Sequence, residues 1–209
     1  MTTFTHPVFT NLNVATHLRG HAVYLELLEE SNKSELRSLA RDERIWEFTR
    51  SLMITDTYDA QFDEYFDIAL RLPATGGQAF VVRAVKDDRI IGMTRMFMVE
   101  PKDRRLEIGH TWYIPSVWGK VYNKECKLLL LQYIFEHLQF CRAEFRVMHQ
   151  NVRSQKAVGK IGGVREGLLR KMGLRNDGAV KHTVIFSIID EEWPATKEKL
   201  QQLIGRSVL

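Results

Sequence analysis

Apolar and polar positions change period repeatedly along this chain of 209 residues, and each change predicts an element. Val23, Leu25 and Leu27 alternate with Tyr24, Glu26 and Leu28, which predicts a first strand. Leu36, Leu39 and Ala40 fall at helical spacing, predicting a helix to about Arg41 capped by Asn32 or Ser34. Tyr58 to Leu72 places Phe62, Phe66, Ala69 and Leu70 on one helical face, and Pro73-Ala-Thr-Gly-Gly77 ends it. Ala79 to Val85 and Ile90 to Met98 read as strands joined by the hairpin Lys86-Asp-Asp-Arg89. Arg105 to Tyr113 is rich in β-branched and aromatic residues and predicts another strand, ended by Pro115. Trp118-Gly-Lys-Val-Tyr-Asn123 then turns the chain into a long apolar helix, Lys124 to Leu138. A strand over Glu144 to His149, a helix from about Gln155 to Ile161, a late strand over Val180 to Ile189 and a terminal helix over Ala195 to Ile204 complete the pattern. This order predicts a mixed α/β sheet with helices on both faces. No repeat or linker divides it, so a single domain over 1–209 is expected, with residues 1–17 as an arm.

Composition narrows the function classes. A chain of this length has core enough to fold without metal or disulfide staples. The net charge is +4, spread over 30 Lys/Arg and 26 Asp/Glu, too weak a bias to indicate nucleic-acid binding. Cys126 and Cys141 fall too far apart along a helical stretch to bridge, and two free thiols fit a reducing, cytoplasmic setting. No signal-peptide pattern opens the sequence, and the longest apolar run, Leu128 to Leu131, is too short to span a membrane. Cysteine and histidine spacings give no zinc site, and neither a Walker loop nor a Gly-x-Ser-x-Gly elbow is present. No metal is expected.

The strand–turn–helix from Glu107 to Leu131 carries the clearest chemistry. The first N–H groups of a helix lack carbonyl partners, and the helix dipole favours negative charge there, so a phosphate or pyrophosphate is the natural guest. Gly119 lets the backbone approach such a group closely, and Asn123 could cap the helix. Asn151 and Ser154 stand as Asn-x-x-Ser before the next helix, where both can cap it; Asn also offers donor and acceptor to an amide, and Ser a hydroxyl proton.

The succession strand, Trp118–Asn123 turn, helix, strand, Asn151-Val-Arg-Ser154, helix, Gly162-Gly163-Val-Arg-Glu-Gly167 resembles the Gcn5-related N-acetyltransferase (GNAT) family over roughly residues 18 to 204. Within it, the likeness is to the branch that includes the RimJ and RimL ribosomal-protein N-terminal acetyltransferases. Leu18-Arg-Gly-His-Ala-Val-Tyr-Leu-Glu26 also looks like that branch's first strand. The resemblance implies the GNAT fold, acetyl-coenzyme A as cosubstrate and a primary amine as acceptor. It places Trp118, Gly119, Lys120, Val121, Tyr122 and Asn123 at the coenzyme's pyrophosphate, and Asn151 beside the pantetheine arm. Val121 stands where many relatives have glycine, so its side chain must point away from the phosphates. Ser154 is a candidate acid for the departing thiolate. Glu107 is the leading candidate base, because relatives carry a carboxylate on this strand, and His110 is the second. Their spacing puts these two on opposite strand faces unless a bulge intervenes.

The branch resemblance implies a protein or peptide α-amine acceptor. Acetylation of a small amine stays open, since Asp56, Asp59, Asp63, Glu64 and Asp67 would suit a polycation; so does a non-catalytic acyl-coenzyme A-binding module. The chain is expected to be a monomer or homodimer.

Overall fold

The computed structural model describes residues 17–207 except Arg50, Leu52 and Ile54. The expected N-terminal arm therefore lies, but for His17, outside the described residues. In chain order the strands are β1 His17–Arg19, β2 Val23–Leu27, β3 Gln78–Ala84, β4 Ile90–Glu100, β5 Arg105–Tyr113, β6 Arg142–Met148, β7 Val164–Leu174 and β8 Val180–Ile189. The α-helices are α1 Lys33–Leu39, α2 Tyr58–Leu70, α3 Tyr122–Gln132, α4 Val152–Lys160 and α5 Trp193–Gly205. All eight strands join one sheet in the order β1-β2-β3-β4-β5-β6-β8-β7. Every neighbouring pair is antiparallel except β5–β6, which is parallel. This is the mixed, mostly antiparallel α/β sheet with helices on both faces that the sequence predicts.

Both faces of the sheet are covered, which explains why its central strands read as nearly continuous apolar runs. Along β3, Phe80, Val82 and Ala84 enter one core with Leu130, Ile134 and Leu200 of the α3 and α5 side. Ala79 and Val81 enter a second core with Leu36, Phe62 and Phe66 of α1 and α2.

Four details depart from the expected elements. The first strand is two, β1 and β2, folded back on each other around Gly20. The buried Glu125 carboxylate of α3 accepts hydrogen bonds from the N–H groups of His21, Ala22 and Val23 at 2.9, 2.7 and 2.7 Å. A Cβ at position 20 would lie 2.5 Å from Glu125 Cδ, so only glycine fits. Second, α3 begins at Tyr122 with Val121 as its cap residue, which puts Asn123 inside the first turn and not at the cap. Third, the helix ends in a π-helical turn, Tyr133–His137, where each turn takes an extra residue. Fourth, the segment after Gly163 is a full strand, β7, pairing with β8 and forming the sheet's edge. Its side chains are almost all exposed, so it carries no in–out alternation to reveal it.

Candidate active site

The parallel junction opens into a cleft. β5 and β6 pair only at Arg105–Arg142, Leu106–Ala143 and Glu107–Glu144, and beyond Glu107 they are no longer register partners. β-bulges flank this point on both strands of the β4–β5 pair. One register shift falls between Phe97 and Glu100, with Met98 at φ 49°, and the other between Met93 and Arg95, opposite His110 at φ 48°. The bulge at His110 inserts a residue into β5 and resets its alternation. His110 therefore faces the same cavity as Glu107, the exception that their spacing of three required, and packs edge-on against Phe97 with ring centroids 5.2 Å apart.

The cleft continues into a cavity of about 490 Å³ whose walls include β5 from Glu107 to Tyr113, β6 from Phe145 to Met148, the Val117–Lys120 turn and the first turns of α3 and α4. Glu107 lies at its inner end, 6% exposed. Burial raises its carboxyl from 4.5 to about 7, and the neighbouring Glu144 pushes the same way. Arg146 opposes them, with Nε 3.2 Å from Glu107 Oε2, and Lys181 adds a weaker opposing pull. Arg146 is shared, since it also pairs with Glu144 at 2.7 Å. The result is a carboxylate that holds or releases a proton near neutrality, which suits a general base.

The other end of the cavity is built for an anion. Gly119 takes φ 78°, open to a residue without a Cβ clash but strained for any side chain. Among the described residues, the N–H groups of Gly119, Val121, Tyr122 and Asn123 have no hydrogen-bond acceptor, as the start of a helix dictates. Trp118, Gly119, Lys120 and Asn123 line the cavity. Val121 and Tyr122 instead bury their side chains in the α3-side core, 3% and 1% exposed, leaving only their backbone N–H groups to meet a ligand. Val121 thus points away from the turn, as a phosphate-binding role requires of it. Arg153 stacks over the Trp118 ring at 3.9 Å and lines the same wall, placing a guanidinium beside the turn. Four N–H donors, a helix N-terminus and adjoining cations fit a pyrophosphate.

Between the two ends lie Asn151 and Ser154. Asn151 caps α4, its Oδ1 accepting from the Ser154 N–H at 2.9 Å, and both residues line the cavity. Capping orients them without removing the Asn amide donors or the Ser hydroxyl from the cavity wall.

Several contributors carried no signal in the sequence. Arg146 read only as a strand residue, and Lys127 only as part of an apolar helix. Lys127 is 5% exposed and lines the cavity, with Nζ donating to Thr111 Oγ1 at 2.9 Å. Trp46 and Trp112 also line the cavity. His182 lies outside its lining; its Nδ1 accepts from the Lys171 N–H at 3.3 Å, and its ring packs against His149. Both cysteines are free. Among the described residues no His/Cys/Asp/Glu group is arranged to hold a metal, and no helix is long and apolar enough to cross a membrane.

Comparison with known proteins agrees with this geometry. "Probable N-acetyltransferase YjcK" of Bacillus subtilis (strain 168) is 26% identical over 178 residues, covering 84% of this chain and 98% of that protein. A crystal structure described as an acetyltransferase superposes with a TM-score of 0.83 at 32% identity, covering 93% of this chain and 97% of the other. A spermidine N-acetyltransferase from Vibrio cholerae, solved with CoA and spermine, has a TM-score of 0.67 at 18% identity, covering 83% and 98%; at that identity the likeness is one of fold. Residues 23–164 match the family model described as an acetyltransferase (GNAT) domain. The chain belongs to the GNAT family of N-acetyltransferases, and its chemistry is acyl transfer.

Proposed function

We propose that this chain is an acetyl-coenzyme A-dependent N-acetyltransferase that acylates a primary amine at the β5–β6 opening, with Glu107 as base. The observation that carries this reading is the cleft itself. It starts at a buried carboxylate that titrates near 7 and ends at the unclaimed N–H groups of α3. Gly119 to Asn123 hold the pyrophosphate, Lys120 and Arg153 add positive charge, and Asn151 bonds the pantetheine amides. Acetyl-coenzyme A supplies the thioester; the C–N bond forms as the C–S bond breaks. Glu107 takes the proton from the incoming ammonium, directly or through water, and Arg146 offsets part of the burial, so that the carboxylate ionises near neutral pH. Ser154 donates a proton toward the departing thiolate. His110, on the same face, is the second candidate base.

For the acceptor we favour a protein or peptide α-amine, on the RimJ/RimL-like resemblance of the sequence. The small-amine alternative draws support from the spermine-bound neighbour, but three of the acidic residues of α2 that would attract a polycation are engaged with cations of this chain. Asp59 pairs with Arg41 at 2.6 Å, Asp67 with Lys33 at 2.9 Å, and Asp63 with Arg37. We also read the one continuous sheet as a single domain and place the protein in the cytoplasm. Calorimetric titration with acetyl-coenzyme A and with desulfo-coenzyme A tests the proposal, followed by turnover with peptide α-amines against polyamines. Micromolar coenzyme binding and acetylated peptide are the expected results. A folded protein that binds neither coenzyme refutes it.

A further inference from the structure

Lys127 is a buried cation that the acyl-transfer machinery above does not use. Its Nζ donates to the Thr111 hydroxyl at 2.9 Å and lies 3.5 Å from that of Thr94, and the two hydroxyls are themselves 2.7 Å apart. No carboxylate among the described residues forms an ion pair with it. Burial lowers its affinity for its proton, and the Cys126 thiol opposes that less strongly. Threonine hydroxyls solvate an ammonium only in part, and an ammonium buried without a counter-charge costs several kcal/mol. A methionine would fill the same space without that cost. Lys127 and Thr111 are both part of the cavity wall, Thr111 on the same strand as Glu107.

We infer that Lys127 is a substrate-selecting residue, its Nζ pairing with a carboxylate carried by one of the two reactants. The inference rests on the coenzyme-dependent reading of this cavity and replaces either its acetyl group or its peptide acceptor with a carboxylate-bearing reactant. An ammonium has three N–H donors, and the two threonines accept at most two, leaving one for a substrate oxygen. The carboxylate has two possible sources. It is the free end of a dicarboxylic acyl group on the coenzyme, or the carboxylate of an amino-acid acceptor. In either case Lys127 takes no part in bond making: the amine nitrogen still attacks the thioester carbon, the thiolate still leaves, and Glu107 still takes the amine proton.

The test uses the full chain and matched pairs of probes. For the acyl source, succinyl-coenzyme A is titrated against butyryl-coenzyme A, which has the same acyl length and lacks only the terminal carboxylate. For the acceptor source, free amino acids are titrated against their amides with coenzyme A present. The expected result is a preference of about tenfold or more for the carboxylate member in one of the two arms, the value of a charge-assisted hydrogen bond. Lys127→Met should erase that preference, leave acetyl-coenzyme A affinity unchanged, and unfold no earlier than wild type because a buried charge is gone. Should that variant fold poorly, the wild-type comparison and Lys127→Gln decide. A wild type that binds acetyl-coenzyme A but shows no preference in either arm overturns the inference, as does an equal loss of every acyl-coenzyme A in the variant. Failure of the wild type to bind any coenzyme overturns the coenzyme reading itself, and this inference with it.

Discussion

Glu107 is held protonated by its surroundings until about pH 7, against 4.5 for an ordinary glutamate, and that difference has two consequences of opposite use. The unfolded chain releases the proton near 4.5 while the folded chain keeps it, so stability falls as pH rises from there through 7 and is level above. In its proposed role as base, by contrast, Glu107 works only when ionised, so kcat/KM should rise through an inflection near 7. Glu107→Gln should remove that inflection, lower the rate by about a hundredfold or more at pH 7, and raise the unfolding temperature at pH 8. Arg146 holds the carboxyl down, so Arg146→Met should move the inflection upward and slow the enzyme most at pH 7. A pH–rate series on the three proteins checks this, and an unmoved inflection in Arg146→Met would remove the ion pair from the account. Of this, the sequence offered Glu107 as a candidate carboxylate on a central strand, and the structure adds its burial. That His110 shares its face was not legible there, because a bulge is set by how β4 and β5 register on each other and leaves no mark on the spacing of either. Nor was Arg146, whose role depends on strands 105–113 and 142–148 becoming neighbours.

The turn and helix α3 show the same division. The strand–turn–helix order was plain from the apolar pattern, and β5 and β8 run between the residues that the pattern predicted. The start of α3 was misread by two residues because Asn is a favoured cap and Val is not; burial of Val121 in the core overrides that preference. Asn123 then sits where a carboxylate would favour the helix and oppose a phosphate. Asn123→Glu should leave thermal stability level or slightly raised through the helix dipole, yet weaken coenzyme binding by about tenfold or more. Calorimetry with a melting curve separates the two, and unweakened binding would displace the pyrophosphate from this turn. Glu125, two residues on, serves the fold instead. It satisfies three backbone N–H groups of the β1–β2 turn, so Glu125→Ala should cost about 3 kcal/mol or more in urea unfolding. A loss under about 1 kcal/mol would mean water replaces the carboxylate easily. β7 carries no alternation for a related reason: a strand exposed on both sides at a sheet edge has no buried face to print a period of two.

The sheet as a whole is two antiparallel blocks, β1 to β5 and β6, β8, β7, joined through only three parallel register pairs. What else binds them is the packing of α3 and α5 across one face, where Cys126, Leu130 and Leu200 share a core with Phe145 and Ile188. A ligand lying in the cleft, with its pyrophosphate on α3 and its arm beside Asn151, would touch both blocks at once and replace sheet contacts that the opening removes. Its binding free energy then adds to the cohesion of the molecule, by about 2.7 kcal/mol at a concentration a hundred times Kd. Saturating acetyl-coenzyme A should raise the unfolding temperature. It should also slow hydrogen exchange in Gly109–Thr111 and Arg146–Met148, on either side of the opening, more than in β2 or β3. Slowing confined to the α3 turn, with no change along the two strands, would mean that the coenzyme binds at its phosphates alone and leaves the thioester short of Glu107.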